Sequence, residues 1–332
     1  MRTEGREQQV RRRTLVLIPI FAAVLLGATA SVASPWNITS TISGIRPVSQ
    51  QENSAATQYW AKHPLPKQAP KGTPSTATTG SATQTDNPPP TSSSPSVPTQ
   101  QPPATQAQQL TAVNTNGIPA VGALFATDDQ GDNGHFCSAS VVASPHGDMV
   151  ITAAHCIYDP TQGDYDTDIV FIPDYHDGQE PYGVWTPSQL IVDPRWISDS
   201  DQDLDFGFLI VHQAGNDRTI QSETGANQLG TSLGFNLQVQ VTGYPDGASA
   251  PVTCATTTTQ ADTYQMRFDC DGFPNGTSGS PWVTDVNPAT GLGTVVGVIG
   301  GYEEGGDTPQ VSYSSYFDQD IMDLYNTSVD QS

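Results

Sequence analysis

Basic residues are scarce in the greater part of this 332-residue chain. Residues 111–332 contain no lysine and only three arginines against 30 aspartates and glutamates, so their formal charge is −27. A surface of that sign repels phosphate groups, which excludes nucleic acid and anionic membrane surfaces as partners of this region. The simplest interpretation of the acidity is solubility.

Large apolar residues are scarce between residues 35 and 110, where Pro, Ser, Thr, Gln and Ala dominate. Such a composition cannot bury enough apolar surface to offset the entropy lost on ordering the chain. We therefore predict that residues 34–116 are a disordered linker, stalk or pro-segment. Residues 58–63, with Tyr59 and Trp60, leave two alternatives open: a pro-segment remnant docked on the next domain, or two aromatics in a disordered stretch.

The first 33 residues begin with several arginines, continue with an apolar run from Leu15 to Leu26, and end in small residues around Ala30 and Ala33. This order is typical of a secretory signal peptide, and it predicts an extracellular protein. The alternative is an uncleaved membrane anchor, because residues 14–33 are just long enough to span a bilayer. Membrane contact is expected only in that second case.

Metal-binding and cofactor motifs are missing. The chain has no CxxC pair and no HExxH run, so we expect no metal site, and nothing indicates an organic cofactor. The acidic loop containing Asp128, Asp129 and Asp132 has two alternative interpretations, a weak calcium site or a solvated turn. An even number of cysteines in an exported chain predicts two disulfides, with three pairings possible from sequence alone. These cysteines are Cys137, Cys156, Cys254 and Cys270.

Short β-rich runs separated by Gly, Asp, Asn and Pro occupy the chain from residue 117 onward. This pattern favours an all-β sandwich or barrel. Residues 318–325 carry an apolar stripe that includes Ile321 and Leu324, which predicts a closing helix. We therefore expect one folded domain over residues 117–332.

Two short runs indicate the chemistry: TAAHC at residues 152–156 and GTSGSP at residues 276–281. A serine hydroxyl attacks well only when a base takes its proton, and these runs supply a histidine and a serine. Together they resemble the chymotrypsin-like (trypsin-like) serine proteases over roughly the last two thirds of the chain. Thr277, Ser280 and Pro281 are more similar to the secreted bacterial and glutamyl endopeptidase members than to animal digestive enzymes.

The resemblance implies two six-stranded antiparallel β-barrels with a C-terminal helix, and a monomeric serine endopeptidase that acts on proteins or peptides without a cofactor. It implies His155 as general base, Ser278 as nucleophile, and the amides of Gly276 and Ser278 as the oxyanion hole. It also selects two disulfides from the open pairings: Cys137 with Cys156, and Cys254 with Cys270.

The carboxylate that orients the histidine has several candidates at alternate positions: Asp199, Asp201, Asp203 and Asp205. The family places this group just before an apolar strand that contains a small residue. Asp205, followed by FGFLI, fits that pattern and is our choice. A calcium loop over this run is excluded by Leu204 and Ile210, which stand where glycine and a bidentate glutamate would be needed.

Departures from the family pattern concern activation and specificity. Thr277 replaces the aspartate that pairs with a new N-terminus in animal digestive enzymes, so that salt bridge cannot form here. The resemblance implies a pocket for the side chain before the cut, and its glycines, with no carboxylate at the expected floor, favour an apolar or aromatic residue there. The implied lining residues are Gly272, Phe273, Ile299, Gly300 and Gly301.

Two other functions are weighed against an active protease. A catalytically silent relative could serve as a binding module displayed on a stalk, but the complete set of His155, Asp205 and Ser278 disfavours it. An esterase is disfavoured because Ser280 stands where the GxSxG motif needs its final glycine.

Overall fold

The computed structural model of the chain describes residues 44–63, 109–127 and 134–332. The predicted signal or anchor, most of the predicted linker, and the acidic loop around Asp128 lie outside these residues. Among the described helices, none is long and apolar enough to cross a membrane.

The first half of the fold is a curled antiparallel sheet of seven strands in the order β1-β9-β10-β5-β4-β3-β8. A short hairpin, β6-β7, follows β5. The side chains of Leu124, Val150 and Leu209 point into the curl and form its core. β2, Val113–Asn114, lies between β1 and β3 in the chain but belongs to a sheet of the second half. The elements of the first half are β1 Ile45–Pro47, α1 Gln50–Lys62, β3 Val121–Thr127, β4 Gly134–Val142, β5 Met149–Thr152, β6 Tyr158–Asp159, β7 Asp164–Tyr165, β8 Thr167–Pro173, β9 Thr186–Val192, α2 Pro194–Asp199 and β10 Gly207–His212.

The second half contains a six-stranded sheet, β11-β17-β16-β12-β13-β2, and a three-stranded sheet, β14-β15-β18. Val241, Phe268 and Trp282 lie in the core of this half. Its elements are α3 Ile220–Thr224, β11 Gln228–Leu229, β12 Gln238–Gly243, β13 Val252–Thr257, β14 Thr259–Asp262, β15 Gln265–Asp269, β16 Pro281–Thr284, β17 Thr294–Val298, β18 Val311–Ser315 and α4 Gln319–Val329.

Apolar contacts join the two halves. Met149 and Ile151 of β5 face away from the first core, and they belong to a cluster that includes Val295 of β17 and Ile321 of α4. Every side chain of β5 is therefore buried. The predicted chymotrypsin-like, all-β fold with a C-terminal helix is confirmed.

Residues 44–63 depart from the predicted disordered linker, because they form β1 and α1. Ser49 and Glu52 form a capping box that starts α1. Only Asn53 and Ala56 of this helix are buried, so the helix has no apolar face of the kind that a sequence pattern reveals. Its order comes from contacts with the first half of the fold rather than from a core of its own. Residues 109–116 are also ordered, since β2 pairs with β13.

Candidate active site

Strand pairing brings His155 and Asp205 together. In the antiparallel pair of β5 and β10, Thr152 at the end of β5 lies opposite Gly207 at the start of β10. The residues that follow Thr152 therefore lie beside the residues that precede Gly207. His155 is in a 3-10 turn, Ala154–Cys156, directly after β5, and Asp205 lies just before β10.

A disulfide fixes the turn that carries His155. Cys156 is bonded to Cys137 of β4, and the second disulfide joins Cys254 to Cys270. Both predicted pairings are confirmed. The first one attaches the residue next to the histidine to the adjacent strand of the sheet, which limits the movement of the turn.

The carboxylate of Asp205 is completely buried, and three N–H groups donate to it. His155 Nδ1 lies 2.7 Å from Oδ2, and the backbone N–H of His155 donates to Oδ1 at 2.9 Å. The backbone N–H of Gly301 donates to Oδ2 at 2.8 Å. A buried carboxylate needs such partners, and here they also fix the orientation of the imidazole.

The environment of His155 favours its protonated form. Burial lowers the pKa of the imidazole, but the charge and hydrogen bond of Asp205, with smaller effects of Glu304 and Asp166, raise it by more. The net pKa lies above the ordinary histidine value. The ring therefore accepts a proton readily, as a general base must.

Ser278 lies in the turn before β16, and this turn is attached to the first half of the fold. The backbone N–H of Ser138 in β4 donates to the carbonyl of Ser278 at 2.7 Å. The hydroxyl of Ser138 donates to the carbonyl of Gly276 at 3.2 Å. Gly279 has a φ of +79°, and a Cβ there would lie 2.1 Å from Thr152 Oγ1 and 2.2 Å from Ser138 O. Only glycine fits at this junction.

The amides of Gly276 and Ser278 have no hydrogen-bond acceptor among the described residues. Two free N–H groups beside a serine are what an oxyanion hole requires. The neighbouring hydroxyls are used internally: Thr277 donates to Pro274 O at 2.7 Å, and the fully buried Ser280 donates to Thr277 O. Ser278 itself is partly exposed.

His155 and Ser278 line one cleft with a volume of about 800 Å³. Of the five residues predicted for the substrate pocket, Phe273 and Ile299 line this cleft. The other three are in different contacts. A Cβ on Gly272 would lie 3.0 Å from Ala112, a Cβ on Gly300 would lie 2.8 Å from Asp205 O, and the N–H of Gly301 is bonded to Asp205.

The sequence interpretation missed the acidic character of the cleft. Four of its lining residues carry carboxylates, and none of its lining residues is Lys or Arg. The acidic residues are Asp246, Glu303, Glu304 and Asp307. In a chain with so many aspartates and glutamates, no local pattern distinguishes these four. Glu303, Glu304 and Asp307 lie in the loop between β17 and β18, and Asp246 lies in the loop between β12 and β13.

Gln265 is a second residue that sequence reasoning missed. It is fully buried in β15, and its side-chain NH₂ donates to Gln202 O at 3.0 Å and to Asp203 Oδ1 at 2.8 Å. Its Oε1 accepts from the N–H of Tyr302 at 3.2 Å. Gln265 thus connects the loop before Asp205 to the loop after Gly301.

Among the described residues, the one compact group of metal-ligating atoms comes from Cys137, His155 and Cys156. Both cysteines are in a disulfide, so they offer no thiolate to an ion.

A family model described as Trypsin matches residues 109–318. Two solved protease structures are similar at 25% identity. Protease Anisep from Arthrobacter nicotinovorans has a TM-score of 0.57, with 65% of this chain and 98% of that chain covered. The thermostable serine protease AL20 from an extremophilic microorganism has a TM-score of 0.58, with 65% and 99% covered.

A Glu endopeptidase structure shares the fold, with 16% identity, a TM-score of 0.54, and 67% of this chain and 98% of that chain covered. No curated protein sequence matches the chain.

Proposed function

This chain belongs to the trypsin family and is a serine endopeptidase, and from that premise we propose that Ser278, His155 and Asp205 are its catalytic residues. His155 takes the proton of Ser278 as the hydroxyl attacks a peptide carbonyl. Asp205 holds the imidazole in the required tautomer and stabilises the imidazolium. The observation that carries the proposal is the buried His155–Asp205 pair, which shares one cleft with Ser278.

The amides of Gly276 and Ser278 stabilise the oxyanion that forms on the substrate carbonyl, by roughly 3 kcal/mol for each donor. The leaving amine takes the proton from His155, and an acyl group remains on Ser278. Water, deprotonated by His155, then hydrolyses this ester and restores the enzyme. No step requires a cofactor.

We also propose that the cleft selects substrates with cationic side chains near the cut. Four carboxylates line the cleft, and none of its lining residues is Lys or Arg. This differs from the apolar or aromatic preference expected from the sequence, which considered the glycines and not the loop with Glu303 and Glu304. Opposite charge raises both the encounter rate and the affinity of such substrates at low ionic strength.

The two disulfides favour export, because such bonds persist outside the reducing cytosol. We therefore propose that residues 1–33 direct the chain out of the cell, as a cleaved signal or as an anchor. We expect the exported protein to act as a monomer. A silent binding module is not favoured, since His155, Asp205 and Ser278 are all retained.

Hydrolysis of casein and of short peptides by the purified protein tests the catalytic assignment. Ser278→Ala and His155→Ala should each remove hydrolysis, while Ser280→Ala, which changes the fully buried neighbouring hydroxyl, should keep at least about a tenth of it. Full activity in Ser278→Ala would overturn the assignment of the nucleophile. Activity on short-chain esters without any on peptides would indicate an esterase instead.

A further inference from the structure

The seven-stranded sheet of the first half has two edges that approach each other at a seam. β8 forms one edge, and β9 lies near the other. At one end of the seam, Phe171 and Trp185 pair through two backbone hydrogen bonds of 2.8 and 2.9 Å. Elsewhere along the seam, the N-terminal segment, residues 44–63, contacts both β8 and β9.

β1 of this segment covers the outer edge of β9. Ile45 pairs with Ile191, and the pairing is extended at both ends by bonds from Val192 N to Gly44 O at 2.8 Å and from Val48 N to Ser188 O at 2.9 Å. An uncovered edge strand exposes unpaired N–H and C=O groups, which promotes association with other chains. The segment therefore pairs backbone groups of β9 that would otherwise be left to solvent or to another chain.

Gly44 shows how closely this strand approaches β9. Its φ is +70°, and a Cβ at this position would lie 2.1 Å from Val192 O. Such an approach is possible only for glycine. Glycine at position 44 is thus required by the contact with β9.

Helix α1 is bonded to both sides of the seam. The side-chain NH₂ of Asn53, a buried residue, donates to Pro187 O of β9 at 2.9 Å. About two turns later along the same helix, Trp60 Nε1 donates to Asp168 O of β8 at 2.6 Å. Two side chains of one helix therefore connect two strands that are not hydrogen-bonded neighbours at this point.

Apolar packing and an ion pair complete the contact. Ala56 is 2% exposed, and the ring of Trp60 lies 5.4 Å from that of Phe125 in β3. Arg46 of β1 and Glu52 of α1 form an ion pair at 2.6 Å, which holds the two elements of the segment to each other. Both elements of the segment are thus attached to the barrel and to each other.

The seam is also close to the catalytic strands. β9 pairs with β10, with Val192 opposite Gly207, and Asp205 precedes Gly207 by two residues. Asp166, directly before β8, is near enough to influence the charge of His155. The segment therefore contacts the strand next to β10, just before which Asp205 lies.

We propose that residues 44–63 are a permanent part of the catalytic domain, which stays bound when the chain is cut between residues 63 and 109. The segment is therefore not a pro-segment whose release switches the protease on. A further consequence is that any anchor at residues 1–33 would still hold the domain after such a cut. The inference does not depend on which serine is the nucleophile.

The lysines of the chain allow a direct test. There are three, Lys62, Lys67 and Lys71, and none follows residue 71. A lysine-specific protease, allowed to reach complete cleavage, breaks the covalent link between the segment and the rest of the domain. It makes no cut within residues 72–332, which contain no lysine. The full chain with Ser278→Ala, which excludes self-cleavage, is treated and then passed over a size-exclusion column with and without denaturant.

We expect the two fragments to elute together without denaturant and apart with it. Separation of the fragments in native buffer would overturn the proposal. The same treatment of the active protein should leave its peptide hydrolysis unchanged. Hydrolysis that appears only when the segment leaves would show a pro-segment and also contradict the proposal, whereas hydrolysis absent throughout would count against the proposed function alone.

Variants of α1 locate the contact. Asn53→Ala together with Trp60→Ala should raise the dissociated fraction about tenfold or more, since a buried hydrogen bond and an aromatic contact are both lost. Gln58→Ala, on the exposed side of the same helix, is the matched control and should have no effect. Equal dissociation of the double variant and the control would show that these contacts do not hold the segment.

Discussion

Replacing Asp205 by asparagine changes the charge of the site without changing its size. The two carboxylate oxygens accept three hydrogen bonds, two from His155 and one from Gly301. Asparagine has one acceptor oxygen, and its NH₂ must face the backbone N–H of either His155 or Gly301. Either orientation leaves one pair of donors facing each other in a buried position, and both remove the charge beside the imidazolium.

The magnitude follows from these losses. A charge-assisted hydrogen bond contributes roughly 1.5–3 kcal/mol, and a change of the imidazole tautomer, which would leave Nε2 protonated, adds to the loss. We expect kcat/KM to fall by about 10³–10⁴-fold, which corresponds to about 4–5.5 kcal/mol of transition-state stabilisation. The assay is hydrolysis of a chromogenic peptide across pH, with Asp199→Asn at an exposed aspartate as control.

The pH profile gives a second readout. Only neutral His155 accepts the serine proton, so activity is lost as pH falls through the pKa of this histidine. Because Asp205 raises that pKa, the parent protein should lose activity at a pH above the ordinary histidine value of about 6.5. In Asp205→Asn, burial still lowers the pKa of His155, but the carboxylate that raised this pKa is gone. The acid limb of the pH profile should therefore move to lower pH. A variant within tenfold of the parent, with an unmoved acid limb, would refute the reasoning.

Three other perturbations have defined outcomes. Serine at both Cys254 and Cys270 opens a loop of sequence separation 16 and should lower the free energy of unfolding by about 3 kcal/mol in chemical denaturation; an unchanged midpoint would contradict this. Burial raises the pKa of Asp174, whose Oδ1 has no partner among the described residues. The carboxyl of Asp174 therefore binds its proton more tightly in the folded state than in the unfolded chain. The free energy of unfolding falls as pH rises from the unfolded pKa of Asp174 through its folded pKa. Asp174→Asn should raise the Tm at neutral pH but not at about pH 3, and equal changes at both pH values would disprove the assignment. Glu303→Gln with Glu304→Gln should lower kcat/KM roughly tenfold for arginine peptides at low salt and leave leucine peptides unaffected; an equal loss for both would count against charge selection.

The proposed catalytic residues could be chosen from the sequence because short-range constraints act around them. His155 needs a turn fixed by a neighbouring cysteine, and Ser278 needs glycines for the tight backbone path around it. Both requirements appear as local motifs. Asp205 could be chosen from four alternating aspartates because only one directly precedes the apolar strand β10, and the structure places that one at 2.7 Å from the histidine ring.

The remaining features, several strands and the ordered N-terminal segment, depend on long-range contacts, which leave no local pattern in the sequence. Several strands show no clear apolar alternation because they contain Pro or many short polar side chains, among them β9, β13 and β18. In β18, Ser312 and Ser314 are buried, which conceals the expected alternation of apolar and polar residues. The ordered N-terminal segment was predicted as linker because α1 buries only Asn53 and Ala56 of its own residues. Its partners are more than 100 residues away in sequence.

Mass-spectrometric mapping of a fluorophosphonate label tests the central claim most directly, since this reagent forms a stable adduct only with an activated serine. The purified protein should carry one adduct, on the peptide that contains Ser278, and the adduct should be absent in Ser278→Ala and in His155→Ala. An adduct on another serine, or one on Ser278 that persists in His155→Ala, would contradict the assignment of nucleophile and base. A protein that stays unlabelled while correctly folded would contradict its activity as a serine endopeptidase.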